Sequence, residues 1–289
     1  MLDLNIYKSN DEIAWCPGCG NFGILIALKE ALAELSIRPQ DVVLVSGIGQ
    51  AAKTPHYLKV NGFNGLHGRA LPPAQGIKMV NKNLKVVVTS GDGDSYGEGG
   101  NHFLHCIRRN IDMVHLVHNN QIYGLTKGQG SPTTVKGQVT SMQFEGVYME
   151  PMNPLAIAIS AGATFVARSF SADKEHLKSM ITEAMNHKGY ALVDIMQPCV
   201  IFNKVNTFKW YKDRIYKLDD SYDYTNKYEA LKKAEEFGDT GIPIGIIYKD
   251  STKESYHELH PTLKKGNNLV DRKWKIKDIE KLIDEFLYN

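Results

Sequence analysis

The sequence lacks the features of several protein classes. Its 289 residues contain four cysteines, which are too few for a disulfide scaffold of this length. No apolar run reaches the roughly 18 residues of a membrane-spanning helix, so we expect no membrane segment. The first residues lack the basic and apolar regions of a secretory signal peptide. Together these absences predict a soluble, cytoplasmic protein.

Charge of one sign is not in excess either. The 34 Lys and Arg residues nearly balance the 32 Asp and Glu residues, which gives a formal net charge of +2. We therefore expect no nucleic-acid partner. Hydrophobic residues make up 43% of the chain and charged residues 23%, which excludes a disordered, collagen-like or coiled-coil protein. The length fits one large domain or two small ones.

The hydrophobic pattern predicts an α/β fold. Buried strands that alternate with helices favour a mostly parallel sheet with helices on both faces. A polar, glycine-rich stretch over 119–140 reads as a long functional loop. The predicted helices cover 21–35, 98–109 and 173–186, and the predicted strands cover 42–45, 84–89, 113–117 and 190–196.

The composition changes after residue 200. Residues 201–237 are rich in Lys, Asp, Tyr and Asn, and a short apolar patch follows at 242–248. An amphipathic helix is predicted over roughly 275–287. We expect one domain over 1–200 and a C-terminal extension over 201–289 that packs on this core or on a partner.

The segment Gly91-Asp92-Gly93-Asp94 lies between a predicted strand and a predicted helix. Glycine-rich turns of this kind bind phosphate through backbone N–H groups. Two carboxylates would repel a diphosphate unless a divalent cation lay between them. Asn120 follows the next predicted strand and would add an amide oxygen. The pattern predicts a diphosphate held through Mg²⁺ by Asp92, Asn120 and a backbone carbonyl.

This turn allows three other interpretations. A dinucleotide-binding fingerprint has the pattern G-x-G-x-x-G, which would require a glycine at position 96. Here the third glycine, Gly97, comes one residue late. An EF-hand loop that began at Asp92 would place Tyr96 and Phe103 at ligand positions. A tight turn with solvated acids is the remaining alternative. The chain has no Walker-A motif.

The cysteines allow several interpretations by spacing alone. Cys16-Pro17-Gly18-Cys19 is compatible with a redox dithiol, half of a zinc site or part of an iron–sulfur site. There is no second CxxC pair, but Cys199 follows a predicted strand and could join the pair in space. Cys106 lies inside a predicted helix and reads as a small buried hydrophobic residue.

Taken together, these motifs resemble the β-subunit of a 2-oxoacid:ferredoxin oxidoreductase of the pyruvate or 2-oxoglutarate synthase type. The matching segments run in family order over residues 12–203. They are Trp15-Cys16-Pro17-Gly18-Cys19-Gly20, Ser46-Gly47-Ile48-Gly49, His67-Gly68-Arg69-Ala70-Leu71-Pro72, Gly91-Asp92-Gly93-Asp94, Asn101-His102-Phe103, Arg108-Arg109-Asn110, Asn120-Gln121-Ile122-Tyr123-Gly124-Leu125-Thr126-Lys127-Gly128-Gln129 and Gln197-Pro198-Cys199.

The resemblance implies a thiamine diphosphate-binding fold and an enzyme active only with a partner. Such an enzyme decarboxylates pyruvate or 2-oxoglutarate to acyl-CoA and carbon dioxide, and an iron–sulfur cluster passes the electrons to ferredoxin. The α-subunit, with or without a fused γ-domain, completes the active site of this heterodimer and supplies the glutamate that activates the cofactor.

The resemblance also implies a residue for each role. Mg²⁺ would bind to Asp92, Asn120 and the carbonyl of Ile122. A [4Fe-4S] cluster would bind to Cys16, Cys19 and Cys199, but Gln50 stands where the family has its fourth cysteine. We expect a cluster to be present, and the departure leaves open a different fourth ligand, a three-iron cluster, or a labile or lost cluster. It also gives some weight to an alternative, a non-redox thiamine diphosphate-dependent decarboxylase subunit without a cluster. Thiamine diphosphate would contact Ile48, Gly49, Gln50, Ala51, His67, Gly93, Asp94, Gly124 and Leu125.

Two side chains are candidates for a catalytic role. His67 could contact the cofactor or an intermediate, although a structural, hydrogen-bonded histidine is the alternative. Lys53 could pair with a substrate carboxylate, although an exposed, solvated lysine is equally compatible with the sequence. Arg108-Arg109 fits a helix end or a partner contact better than a substrate site.

Overall fold

The computed structural model describes residues 1–273 and 276–287, which contain one eight-stranded sheet. The strands are β1 (Val42–Ser46), β2 (Asn61–Asn64), β3 (Lys85–Gly91), β4 (Met113–Asn119), β5 (Phe165–Phe170), β6 (Tyr190–Met196), β7 (Ile215–Lys217) and β8 (Ile242–Lys249). The α-helices are α1 (Asn21–Glu34), α2 (Leu71–Val80), α3 (Gly100–Arg109), α4 (Pro154–Ser160), α5 (Lys174–Asn186), α6 (Phe208–Lys212), α7 (Lys227–Glu235), α8 (Tyr256–Leu259), α9 (Pro261–Lys264) and α10 (Ile276–Leu287).

The sheet is mostly parallel, as predicted. Its strand order is β2-β1-β3-β4-β6-β5-β8-β7, and the first six of these strands pair in parallel. Strand β8 runs antiparallel to β5, and β7 pairs in parallel with β8. Strands β4, β5 and β6 are buried along their whole length, which explains why they carry few charged residues.

Helices cover both faces of the sheet. Alternate strand residues point to opposite faces, so Val42 and Leu44 join one apolar cluster while Val43 and Val45 join another. The first cluster is closed by α1 and α5, and the second by α2, α3, α4 and α7. The two clusters form the cores above and below the sheet.

The sequence prediction missed the strands β2, β5 and β7 and the helices α2, α4, α6, α7, α8 and α9. Strand β5 was missed because Arg168 and Ser169 interrupt its apolar run. Both residues are nevertheless buried, and the Arg168 guanidinium donates hydrogen bonds to the carbonyls of Glu236 (3.1 Å) and Ala234 (3.2 Å). Carbonyl groups at and just after the end of α7 therefore accept two hydrogen bonds from this buried cation, while its Nε has no partner.

The C-terminal part of the chain extends the same sheet through β8 and β7. The apolar patch predicted at 242–248 coincides with β8, while the division into a domain over 1–200 and an extension stays a prediction. The predicted helix over 275–287 corresponds to α10, and its residue 275 lies outside the described residues. In the described ranges, no helix combines the length and apolar character that crossing a membrane requires.

The parallel strands β1, β3 and β4 lie side by side, so their carboxyl ends meet at one edge of the sheet. The long loop that follows β4 continues to Pro154, where α4 begins. In parallel sheets covered by helices, ligands bind at this edge, outside the carboxyl ends of the strands. The fold thus gathers the acidic turn after β3 and the asparagine after β4 in one place.

Candidate functional site

A cleft with an empty volume of about 500 Å³ lies at the carboxyl ends of β1, β3 and β4. The twelve residues that the sequence suggested for the cofactor and Mg²⁺ all line it. They are Ile48, Gly49, Gln50, Ala51, His67, Asp92, Gly93, Asp94, Asn120, Ile122, Gly124 and Leu125. Four further lining residues, Gly91, His118, Tyr123 and Thr126, were not predicted.

Asp92 is a buried carboxylate, with 1% of its surface exposed. Its Oδ2 accepts hydrogen bonds from Ser131 Oγ (2.5 Å) and Thr133 Oγ1 (2.7 Å). Burial raises the pKa of this carboxyl, while these two hydroxyls oppose the rise. Among the described residues, no cationic side chain forms an ion pair with Asp92. A divalent cation in the cleft would neutralise this buried charge.

The turn after β4 holds Asn120 and Ile122 beside Asp92. Gln121 adopts a left-handed backbone conformation, with φ of 57°, which is uncommon for residues other than glycine. Tyr211 donates a hydrogen bond to Gln121 Oε1 (2.9 Å), and Thr134 donates one to the Gln121 carbonyl (2.7 Å). These distant contacts stabilise the turn, so the position of both predicted ligands depends on tertiary structure.

Asp94 joins two loops across the cleft. Its Oδ1 accepts hydrogen bonds from the backbone N–H groups of Ile48 (3.1 Å) and Gly68 (2.7 Å), and it lies 3.1 Å from His67 Nδ1. A Cβ on Gly47 would lie 2.0 Å from Asp94 Oδ2, so only glycine fits there. Burial raises the Asp94 pKa, against the effect of the two backbone donors. Asp94 therefore organises the cleft wall in addition to lining it.

Glu98 and Tyr123 complete the surroundings of His67, and the sequence reasoning overlooked both. Glu98 Oε2 lies 3.2 Å from His67 Nδ1, and Tyr123 donates a hydrogen bond to Glu98 Oε1 (3.0 Å). The Tyr123 ring packs on Gly93, where a Cβ would lie 2.2 Å from Cε1 of the ring. Tyr123 could have been predicted from the sequence, because it lies in the segment 120–129, directly after the predicted metal ligands Asn120 and Ile122.

The cleft itself carries little positive charge. Across the described chain, its lining includes acidic and neutral residues together with His67 and His118, but no Lys or Arg. Lys53 lies outside this lining, half-buried in the 3₁₀ turn Ala51–Tyr57. Catalytic roles for His67 and Lys53 stay predictions. A diphosphate bound here would need a metal cation between its own charge and that of Asp92.

Cys16, Cys19 and Cys199 converge in a second pocket, which shares Gln50, Asn120 and Gly124 with the cleft. The Sγ of Cys19 accepts a hydrogen bond from Gln197 Nε2 (3.4 Å). Burial raises the pKa of the Cys19 thiol to about 11, and Cys199 and Cys16 act in the same direction. Cys106 is fully buried on α3 within the second apolar cluster, as predicted for a structural residue.

The donor set of the cysteine pocket fits three of the four ligands of a [4Fe-4S] cluster. Each iron of such a cluster takes its own protein thiolate. In the part of the chain that the structure covers, no three His, Cys, Asp or Glu side chains are grouped closely enough to hold one metal ion. Gln50 contributes an amide oxygen that is buried and has no hydrogen-bond partner. The pocket thus offers three thiols and an amide, not four thiols.

Comparison with protein families identifies two matching regions. Residues 43–195 match the family described as thiamine pyrophosphate enzyme, C-terminal TPP binding domain. Residues 199–265 match the family described as the C-terminal part of the pyruvate ferredoxin oxidoreductase beta subunit. The first match spans β1 to β6 and therefore includes the three strand ends around the cleft.

Similar proteins cover most of the chain. The chain is 48% identical to 2-oxoacid:ferredoxin oxidoreductase 1, subunit beta, from Aeropyrum pernix, over 87% of this chain and 82% of that protein. It is 36% identical to the 2-oxoglutarate synthase subunit KorB of Methanocaldococcus jannaschii, over 90% and 96% of the two chains. A solved structure of 2-oxoglutarate:ferredoxin oxidoreductase from Magnetococcus marinus, with 2-oxoglutarate, coenzyme A and succinyl-CoA bound, superposes with a TM-score of 0.90 at 34% identity. That alignment covers 98% of this chain and 96% of the other.

Proposed function

Because this chain belongs to the family of 2-oxoacid:ferredoxin oxidoreductase β-subunits, we propose that it forms the thiamine diphosphate-binding half of such an enzyme. The reaction converts a 2-oxoacid, coenzyme A and two oxidised ferredoxins to acyl-CoA, carbon dioxide, two reduced ferredoxins and a proton. Pyruvate and 2-oxoglutarate are the proposed substrates. The observation that carries the proposal is the single cleft that gathers all twelve predicted cofactor and metal residues.

The cleft residues have separate tasks in this proposal. Asp92, Asn120 and the Ile122 carbonyl would hold Mg²⁺, and the ion would supply the positive charge that the buried carboxylate and a diphosphate both need. Gly49 has φ of 126° and nothing within 4 Å of a hypothetical Cβ, so its backbone leaves room for the cofactor. When bound, thiamine diphosphate supplies a carbon nucleophile and a sink for the electrons released by decarboxylation. Asp94 orients the His67 imidazole at the rim of the cleft.

We assign an iron–sulfur cluster with three cysteine ligands to the cysteine pocket. Three thiols lie together, and the buried amide oxygen of Gln50 beside them has no other partner. The described cysteines are all free rather than disulfide-bonded, which suits a reducing, cytoplasmic location.

The proposal includes an α-subunit that covers the cleft. The cofactor residues lie at an open edge of the sheet, and the lining contains Leu125, which is 41% exposed. His67 is also partly exposed, with 38% of its side-chain surface open to solvent. A partner chain would exclude water from these groups and contribute the remaining half of the active site.

The test is Mg²⁺-dependent thiamine diphosphate binding by the purified complex, measured by isothermal titration calorimetry. Asp92→Ala should abolish Mg²⁺-dependent binding, because a ligand and the charge that attracts the cation are lost. Asp194→Asn is the matched control. Asp194 is equally buried, but it bonds to Tyr96 OH (2.9 Å) and Asn119 and does not line the cleft.

The control should lose stability but keep Mg²⁺-dependent binding. Unchanged affinity in Asp92→Ala would refute the metal assignment. Oxidation of a 2-oxoacid by the isolated chain would refute the two-subunit part of the proposal.

A further inference from the structure

Two buried histidines of β4 differ in their hydrogen-bond partners. His115 and His118 are both buried, with 0% and 1% of their surface exposed, and among the described residues neither forms an ion pair with a carboxylate. A buried imidazole without an anionic partner is neutral, because burial disfavours its charged form. A neutral imidazole has one nitrogen that donates and one that accepts a hydrogen bond, so each buried ring needs two partners.

His115 finds both partners within the protein. Its Nδ1 lies 2.7 Å from Tyr190 OH. Its Nε2 lies 3.0 Å from Ser90 Oγ and 3.1 Å from Ser95 Oγ. His115 is thus a satisfied core residue whose role in the fold is complete without a ligand.

His118 has a partner on one side only. Its Nδ1 lies 2.7 Å from Asn21 Oδ1, and in this orientation of the amide Nδ1 carries the proton, because a carbonyl oxygen can only accept. Its Nε2 is buried and has no hydrogen-bond partner, and Asn21 Nδ2 is likewise buried without a partner. His118 lines the cofactor cleft together with Gly91 and Asp92, and Gly91 is its neighbour across the β3–β4 pairing. A residue of the cleft wall therefore carries a buried nitrogen without a partner.

Asn21 connects this histidine with the cysteine pocket. It is the first residue of α1, two positions after Cys19, and only 1% of its surface is exposed. It lines the cysteine pocket, while the histidine that it holds lines the cleft. Asn21 and His118 thus form a hydrogen-bonded pair in the partition between the two pockets.

We propose that His118 is a binding residue of the cofactor cleft, whose Nε2 accepts a hydrogen bond from the bound thiamine diphosphate–Mg²⁺ assembly, and that Asn21 positions it. The inference rests on the proposed function. Diphosphate oxygens are acceptors and cannot be the partner. The donor is either the amino group of the cofactor pyrimidine or a water molecule on Mg²⁺, which commonly keeps several waters.

The experiment measures the dissociation constant of thiamine diphosphate at saturating Mg²⁺, using the purified complex. His118→Phe keeps the ring volume and removes both nitrogens, and it should weaken binding about tenfold or more, which corresponds to about 1.4 kcal/mol for each factor of ten. His118→Gln restores an acceptor and should recover part of the affinity. If His118→Phe does not fold, His118→Gln and Asn21→Ala carry the test.

His115→Phe is the matched control. It changes the same residue type on the same strand, but its nitrogens have protein partners and it does not line the cleft. It should lower the thermal midpoint of the cofactor-free complex and leave the dissociation constant within about twofold of wild type. Equal weakening by both variants would mean a general packing effect and would overturn the assignment.

The positioning role of Asn21 predicts non-additive effects. Asn21→Ala should weaken cofactor binding in the wild-type background, but it should have no further effect in His118→Phe. Purely additive effects on the dissociation constant would contradict this role. A cofactor analogue without the pyrimidine amino group identifies the donor. If the amino group is the donor, His118→Phe no longer weakens binding of the analogue, whereas a water donor leaves the effect unchanged.

The possible failures can be separated. If the wild-type complex binds no thiamine diphosphate, the proposed function itself fails. If the wild type binds the cofactor in a Mg²⁺-dependent manner and His118→Phe binds it equally well, only the inference about His118 is wrong.

Discussion

The cofactor cleft and the cysteine pocket share Gln50, Asn120 and Gly124, yet they are assembled differently. The cleft is formed at the ends of adjacent parallel strands, and its predicted metal ligands are oxygen atoms. No described cationic side chain forms an ion pair with Asp92 there. The cysteine pocket joins the segment before α1 with the segment after β6, and its donors are sulfur atoms. The cleft is suited to a hard divalent cation, and the pocket to iron held by soft ligands.

We expect the largest effect from a substitution that removes iron from the cysteine pocket and leaves cofactor binding in the cleft intact. Cys199→Ala removes one of the three thiols in the cysteine pocket, so the purified complex should lose nearly all of its iron. The cleft does not include Cys199, so Mg²⁺-dependent thiamine diphosphate binding should persist. Iron and sulfide analysis of anaerobically purified protein, combined with calorimetry, measures both properties.

Cys106→Ala is the control for this change, because Cys106 is buried on α3 away from the pocket and should leave the iron content unchanged. If Cys199→Ala lost both its iron and its thiamine diphosphate binding, the two regions would not be independent sites.

A single methyl group should damage the cleft while leaving the pocket intact. In Gly93→Ala, the new Cβ would lie 2.2 Å from Cε1 of Tyr123, so the ring must move away from the cleft wall. We expect a loss of up to about 3 kcal/mol, divided between folding stability and cofactor affinity. Iron content should be that of wild type.

Gly76→Ala provides the comparison. It adds the same methyl group on the exposed side of α2, where nothing lies within 4 Å. This variant should be neutral or more stable by roughly 0.5–1 kcal/mol in thermal unfolding. Equal destabilisation by the two substitutions would remove the steric explanation.

Acid should destabilise the core around His115 but should not change the charge of the Cys19 thiol. His115 is buried against Ser90, Ser95 and Tyr190. Its pKa of about 3 is below the unfolded value of about 6.5. Its contribution to stability is therefore complete above pH 6.5 and is lost as the pH falls toward 3. At pH 5 the loss is about 2 kcal/mol. The Cys19 thiol, with a pKa of about 11, stays neutral throughout this range.

Urea unfolding of the cofactor-free complex at pH 7 and pH 5 tests this expectation. His115→Phe should be less stable than wild type at pH 7, but it should lose about 2 kcal/mol less on acidification. If both proteins lose the same stability, His115 does not contribute to the acid sensitivity.

The smallest expected effect concerns the shared wall. Gln50→Cys places a fourth thiol beside the other three, so the iron content per chain should rise toward the four atoms of a [4Fe-4S] cluster, which four cysteine thiolates hold. Electron paramagnetic resonance of the anaerobic complex should show the corresponding change in cluster type. Gln50→Ser is the control, because it removes the amide without adding a thiol. An equal iron content in all three proteins would show that Gln50 does not face the cluster.

Local sequence was sufficient to predict most of the fold and the main features of the cleft. Strands such as β6 are buried on both faces, so they appear as uninterrupted apolar runs whatever surrounds them. Strand β5 could not be predicted in this way, because Arg168 depends on carbonyl groups contributed by α7. Short elements at the edge of the sheet, such as β2, carry too few apolar residues to give a pattern.

The sequence by itself predicted a diphosphate held through a divalent cation, because glycines and carboxylates adjacent in sequence must share one turn. It also predicted three cysteines as ligands for iron. Only the tertiary structure decided that Gln50 lies between the two regions, that Tyr123 and Glu98 enclose His67, and that His118 is left without a donor at the cleft wall. The physical reason is that hydrogen-bond satisfaction is a property of three-dimensional surroundings. His115 and His118 are two residues of the same type on one strand, and only their partners from distant segments distinguish them.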